Sequence, residues 1–222
     1  RTYALMFNQR TNCVYRRLKA LLDSGELGAL KRVTWVVTDW YRSQAYYDSG
    51  AWRATWTGEG GGVLLNQCPH QLDLLQWLCG LPVRVRAACH EGKWHDIEVE
   101  DDVTAYLEFA NGATGTFIAS TGDALGENRL EIIGTRARIR IPVCKEPFGV
   151  PEIQHEIVQT DGENPQHAGV LNAFAAHILH GTPLVADGRE GIRGLMLSNA
   201  MHLSSWTNQT VSLPIDEELF LK

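Results

Sequence analysis

Gly60-Gly61-Gly62-Val63-Leu64-Leu65-Asn66-Gln67-Cys68-Pro69-His70-Gln71-Leu72-Asp73 is the stretch on which the reading of this chain turns. Its three glycines let backbone approach a ligand with no Cβ in the way, and they lead into an apolar run. Asn66, His70 and Asp73 follow at i, i+4 and i+7, one face of a helix, and Trp77 at i+11 extends that face. Leu72, Leu74, Leu75 and Leu78 occupy the other faces, so the element can pack while carrying a polar stripe. The pattern predicts Asn66 as N-cap, Pro69 in the first turn, and a stop at Gly80-Leu81-Pro82. His70 would then aim a titratable ring at the space beside the glycines. An ordinary helix histidine paired with Asp73 at i+3 fits the same spacing, and the pattern alone leaves both readings open.

Outward from this stretch the chain shows no internal repeats and reads as a run of strands with helices toward both ends. Asn12 to Ser24 reads as a helix stopped by Gly25. Val33 to Asp39 and Val83 to His90 alternate as strands. Val103 to Phe109 and Ala113 to Ser120 flank Asn111-Gly112, which predicts a two-residue hairpin turn. Leu130 to Ile133 and Ala137 to Ile141 form a second hairpin over Gly134-Thr135-Arg136, and Glu152 to Val158 is a further strand. Helices over Ala168 to His180 and Arg189 to Trp206 precede a short strand near Thr210 to Leu213. Hairpin-joined strands with helices at both ends imply an α+β fold: a largely antiparallel, open-faced sheet with helices packed on one side. The uncovered face is expected to need a second copy of the chain, hence a homo-oligomer.

With 222 residues the chain can bury one proper core and is short for two full domains. Twenty basic against 26 acidic residues give a net charge of −6 without a basic stripe. That argues against nucleic acid and anionic membranes as partners. No apolar run approaches the ~20 residues of a membrane span. The five cysteines are odd in number, scattered and without a C-x-x-C, which suits reduced thiols in a cytoplasmic protein. Cys68 reads as a small packing residue.

Four tryptophans (Trp35, Trp40, Trp52, Trp56), three tyrosines (Tyr41, Tyr46, Tyr47), Arg42 and Arg53 crowd the segment before the glycines. Aromatic faces suit sugar C–H surfaces, while Asp39, Arg42, Gln44 and Arg53 suit hydroxyls. An interface patch would show the same enrichment. Cys89, His90, His95 and Asp96 match no zinc-ligand spacing, so no metal is expected. Glu98, Glu100, Asp101 and Asp102 read as a solvated turn at a strand entry.

The Gly60–Asp73 wording resembles the glucose–fructose oxidoreductase/inositol dehydrogenase (Gfo/Idh/MocA) family, whose second domain carries GGG-x-L-x-[DN]-x-x-x-H-x-x-D. The likeness extends over Arg10 and Leu22-Asp23-Ser24-Gly25-Glu26-Leu27-Gly28, the Trp52-Arg53 pair, Val99 to Ala105 and Phe109 to Ala113. It continues through Phe174, Gly181-Thr182-Pro183-Leu184-Val185 and Leu203-Ser204-Ser205-Trp206. The family's G-x-G-x-x-[GA] turn and E-K-P tripeptide have no counterpart, since Lys145-Glu146-Pro147 has the wrong order and place. Residues 1–8 resemble the last strand of an N-terminal dinucleotide-binding (Rossmann) domain that is otherwise missing. Residues 9–222 resemble the substrate-binding and oligomerisation domain, as in a truncated or cleaved piece.

The resemblance implies an NAD(P)-dependent oxidoreductase acting on a sugar or cyclitol hydroxyl, with NAD or NADP bound mainly by the missing domain. It makes His70 the acid/base and places Asn66 beside it in the catalytic pair. It places Arg10, Trp40, Arg53 and Asp73 at the substrate. An amide cannot relay a proton, so Asn66 is expected to bond the hydroxyl or orient the ring. The piece alone is expected to be inactive. An NAD-dependent glycosidase of the same architecture and a non-catalytic binding module are the alternatives.

Overall fold

The computed structural model describes residues 1–142 and 163–216. A 3₁₀ turn (Asn8–Thr11) leads into helix α1 (Cys13–Asp23), strand β1 (Leu30–Val37), the single turn α2 (Gln44–Tyr47) and helix α3 (Pro69–Cys79). Strands β2 (Arg84–Glu91), β3 (Glu100–Glu108), β4 (Thr114–Ser120), β5 (Asn128–Gly134) and β6 (Arg138–Pro142) follow. Helices α4 (Gln166–His180) and α5 (Gly191–Thr207) and the short β7 (Val211–Ser212) complete the described chain. The strand expected at Glu152 to Val158 lies outside the described residues.

All seven strands join one sheet in the order β6-β5-β1-β4-β3-β2-β7. Among the described residues only β1 and β4 pair in parallel, and the other pairings are antiparallel. This is the α+β architecture read from the sequence. Period-two alternation sends Val33, Trp35 and Val37 of β1, Val103, Ala105 and Leu107 of β3, and Phe117 of β4 to one face. There they share a core with Leu18 of α1, Leu72 and Leu75 of α3, and Leu197 and Met201 of α5. Each such buried Val, Leu, Phe or Met side chain contributes roughly 1.5–3 kcal/mol over leaving it in water. The opposite face leaves Thr104 and Tyr106 exposed and Thr34, Thr116 and Ile118 partly so.

Local chemistry explains the element ends. Asn12 caps α1 by accepting the Val14 N–H at 2.9 Å. The β3–β4 connection corrects the two-residue turn. Phe109 and Ala113 still pair across it, so the loop is Ala110-Asn111-Gly112, with Gly112 at φ +82°. Only one residue takes positive φ, where the predicted two-residue turn would need two. Among the described residues, no helix is long and apolar enough to cross a membrane.

Candidate active site

The glycine stretch does not run straight into a helix. Pro69 has no N–H to give an upstream carbonyl, so α3 begins at Pro69 with Cys68 before it. Val63–Gln67 forms a wide π turn instead, in which the Cys68 N–H reaches back to the Val63 carbonyl at 2.9 Å. Asn66 therefore lies in the π turn and is not the N-cap of α3. The predicted polar stripe separates as a result: Asn66 is exposed, His70 half-buried and Asp73 buried.

His70 sits in the first turn of α3 with its ring edge-on to Phe7, centroids 6.2 Å apart. Its Nδ1 is buried and has no hydrogen-bond partner among the described residues. Burial lowers its pKa below the ordinary 6.5, the negative charge of Asp73 opposes this, and His167 adds to the lowering. The net direction is down, which favours a neutral imidazole at physiological pH. A neutral ring with a free, buried nitrogen can accept a proton from a donor placed against it.

Asp73 is committed elsewhere. Its carboxylate takes a bidentate grip from Arg10, with Nη2 at 2.6 Å and Nε at 2.9 Å, and accepts from Gln76 at 3.0 Å. Arg10 also bonds Glu190 at 2.8 Å and the Val185 carbonyl at 3.2 Å. Its guanidinium lies over Phe7 and Trp77, 5.4 and 5.5 Å from their centroids. Arg10 and Asp73 side chains are each 2% exposed. Burial works to lower the Arg10 pKa, but Asp73 and Glu190 outweigh it and the net shift is upward. Both side chains are almost wholly buried, and the bonds they make run to other groups of the chain. Together they form a buried clamp joining the 3₁₀ turn, α3 and residues 185–190, where the sequence reading assigns them to the substrate.

Glu59 links Asn66 to the aromatic segment. One carboxylate oxygen accepts from the Asn66 amide, and the other accepts the Ala54 N–H at 2.6 Å. Asn66 Oδ1 in turn accepts from Gln67 at 2.8 Å. Arg53, next to Ala54, is half-buried. It donates to Ser49 Oγ and Tyr46 Oη at 3.1 Å each, and stacks 4.7 Å from the Tyr46 centroid and 4.4 Å from that of Trp52. It lines an open cavity of about 500 Å³ with Asp48, Asp96 and Glu98. Trp40 is half-buried in the loop after β1. Cys68 is fully buried, and burial pushes its thiol far up, so it packs and does not attack.

The acidic run at the β3 entry departs most from its expected role. Glu100 and Asp101 are fully buried. Glu100 accepts the Gly62 N–H at 2.8 Å and the Leu64 N–H at 3.0 Å. A Cβ on Gly62 would collide with the Glu100 carbonyl oxygen, which is why glycine stands there. Their signal in the sequence was adjacency alone: two acids at the mouth of an apolar strand.

A family model described as the GFO/IDH/MocA C-terminal domain matches residues 15–140. The chain belongs to the GFO/IDH/MocA family. Its structure is similar to the WlbA dehydrogenase from Bordetella pertussis in complex with NADH and UDP-GlcNAcA. That match has a TM-score of 0.82 and 28% identity, over 97% of this chain and 64% of that one. The WlbA dehydrogenase from Chromobacterium violaceum, with the same two ligands, gives a TM-score of 0.80 and 30% identity over 95% and 62%. A levoglucosan dehydrogenase in complex with NADH and levoglucosan shares the fold, with a TM-score of 0.76 at 18% identity over 97% and 67%. The chain thus spans under two thirds of the length of the WlbA structures. No curated protein matches it. As a GFO/IDH/MocA member, it carries the fold of NAD-dependent sugar dehydrogenases.

Proposed function

We infer that the chain is the substrate-binding domain of an NAD(P)-dependent dehydrogenase that oxidises a sugar or cyclitol hydroxyl. Residues 9–222 would form this domain and residues 1–8 the last strand of a dinucleotide-binding domain. The observation that carries the reading is His70: a half-buried ring in the first turn of α3, shifted toward its neutral form, whose buried Nδ1 has no hydrogen-bond partner among the described residues. The nicotinamide supplies the hydride acceptor when bound. The chain's own part is to take the hydroxyl proton at the His70 ring and return it in the reverse direction. Asn66, held by Glu59, orients the hydroxyl. Trp40 and Arg53 form the wall against the sugar ring, while Arg10 and Asp73 hold α3 in place. An open sheet face centred on Tyr106 and Ile118 makes a homo-oligomer contact.

The test pairs the chain with its dinucleotide-binding domain and follows reduced nicotinamide by ultraviolet absorbance in the presence of sugars and cyclitols. Accumulation of reduced cofactor supports the dehydrogenase. Turnover without accumulation marks a glycosidase, and no turnover with any substrate would leave a binding module. The isolated chain is expected to bind neither NAD nor NADP with micromolar affinity in titration calorimetry.

A further inference from the structure

The β2–β3 register shifts at the β3 entry: Glu91 pairs with Glu100 and His90 with Asp102, leaving Asp101 as an extra residue. Such a bulge breaks the strict in-out alternation of a strand and re-aims side chains. Here it lets two consecutive carboxylates both point into the protein, each without exposed surface. They serve different walls.

Glu100 serves the glycine turn. Besides accepting the Gly62 and Leu64 N–H groups, its Oε2 lies 3.1 Å from Nε2 of the buried His202 on α5. That separation is within ion-pair reach, although the ring is not aligned for a hydrogen bond. His202 is itself fixed by Nδ1 on the Ser198 carbonyl at 3.1 Å and by the rings of Trp56 and Trp206.

Asp101 serves the aromatic loop. It accepts the Lys93 and Trp94 N–H groups at 3.0 and 2.9 Å and bonds His95 Nδ1 at 2.8 Å. The other nitrogen of His95 meets the Arg42 carbonyl at 2.8 Å. Tyr47 packs on the His95 ring, and its hydroxyl bonds Thr121, whose N–H donates to the Asp101 carbonyl. The loop bearing Trp40 and Arg42 is thereby held to the same point of the sheet as the turn that bears Asn66 and leads into α3 with His70.

We propose that Glu100 and Asp101 are positioning residues which fix the His70 wall and the aromatic wall of the site relative to each other. A buried carboxylate is costly unless its bonds are met, and a fully met network specifies one geometry. Consecutive Cα atoms are about 3.8 Å apart, so the two walls share nearly one anchor. Movement of the Glu100 arm displaces Asn66 and His70 and acts on the chemical step. Movement of the Asp101 arm displaces the loop that would face the sugar and acts on binding. The proposal rests on His70 being the acid/base.

The experiment uses the intact oxidoreductase. Glu100→Gln cannot accept both amide protons at its amide end. It is expected to lower kcat by about 10–100-fold, the scale of a displacement near 1 Å at a reacting group, and to change KM by less. Asp101→Asn is expected to raise KM by a larger factor than it lowers kcat. In a His70→Ala background, Glu100→Gln should lose most of its effect on kcat, because it acts chiefly through that residue. Native kcat in Glu100→Gln, or an equal loss with and without His70, overturns the proposal. Native kcat in His70→Ala overturns the acid/base reading instead, so the two failures are distinct. If Glu100→Gln does not fold, His202→Gln provides the second variant. It leaves both amide bonds in place and removes the ring facing Glu100 together with its contacts to the Ser198 carbonyl, Trp56 and Trp206, and a kcat loss that largely disappears in a His70→Ala background is again expected. Amide exchange provides a readout independent of turnover: Gly62 and Leu64 should exchange faster in Glu100→Gln while β4 amides do not. Unchanged exchange at both counts against the proposal.

Discussion

Arg10 and Asp73 close a bidentate ion pair in the interior, 63 positions apart in the chain and both 2% exposed. Removing one partner leaves a charge without compensation, which costs about 3–5 kcal/mol. Asp73→Asn or Arg10→Leu should therefore lower the urea midpoint of the isolated chain sharply, with little change in slope. A variant within about 0.5 kcal/mol of native would show that the pair adds nothing to the fold.

In the intact enzyme, His70→Ala should reduce kcat by about 10²–10⁴-fold, the usual contribution of a positioned acid/base. Asn66→Ala should cost less, about 1–3 kcal/mol if it leaves a buried partner unmet. Steady-state kinetics of both variants across pH decides the order. Equal losses, or a larger loss at Asn66, would reassign the proton transfer.

The isolated chain also permits a direct titration of His70. Its folded pKa is depressed below 6.5, chiefly by burial. The stability associated with the neutral ring is therefore present above pH 6.5 and lost as pH falls through the folded value. Ring C–H chemical shifts should give a midpoint under 6.5. A midpoint above it would mean that Asp73 dominates over burial.

The open sheet face gives a prediction about assembly. Tyr106 is 45% exposed in the middle of it, with Thr104, Thr116 and Ile118 around it. Light scattering at tens of micromolar should report a dimer or tetramer. Tyr106→Asp or Ile118→Asp should shift it to monomer without lowering the helical circular dichroism. A native monomer would refute this use of the face.

The periodic parts of the fold were legible from local pattern. Alternation along Val103–Phe109 and Asn12 ahead of α1 depend on near neighbours, and both elements form, although β3 begins three residues earlier, at Glu100. The site was less legible because its geometry depends on distant partners. Nothing near Asp73 in sequence announces Arg10 as its mate. Pro69 was read inside the first turn of a helix capped by Asn66; the helix instead begins at Pro69, and the π turn ahead of it at Val63–Gln67 removes Asn66 from the face it was assigned. The acids at Glu100 and Asp101 looked solvated because burial of a charge depends on which amides and rings the rest of the fold supplies. A bulge, which shifts register by one residue, leaves no mark in the residue types around it.

Strand β1 lies near the middle of the sheet, parallel to β4 on one side and antiparallel to β5 on the other. It enters the chain early, yet Val33 pairs with Gly115 and Ile132, both far downstream. The first strand must therefore wait for the fourth and fifth. Neighbouring hairpins such as β3–β4 and β5–β6 can zip locally, whereas seating β1 between them closes loops of many tens of residues. The order of events in time is then the reverse of the order of synthesis. Pulse-labelled exchange should find β3–β4 amides protected before those of β1. Until β1 is seated, the sheet remains two separate hairpin groups with unpaired inner edges, the condition in which chains of this kind are most exposed to aggregation.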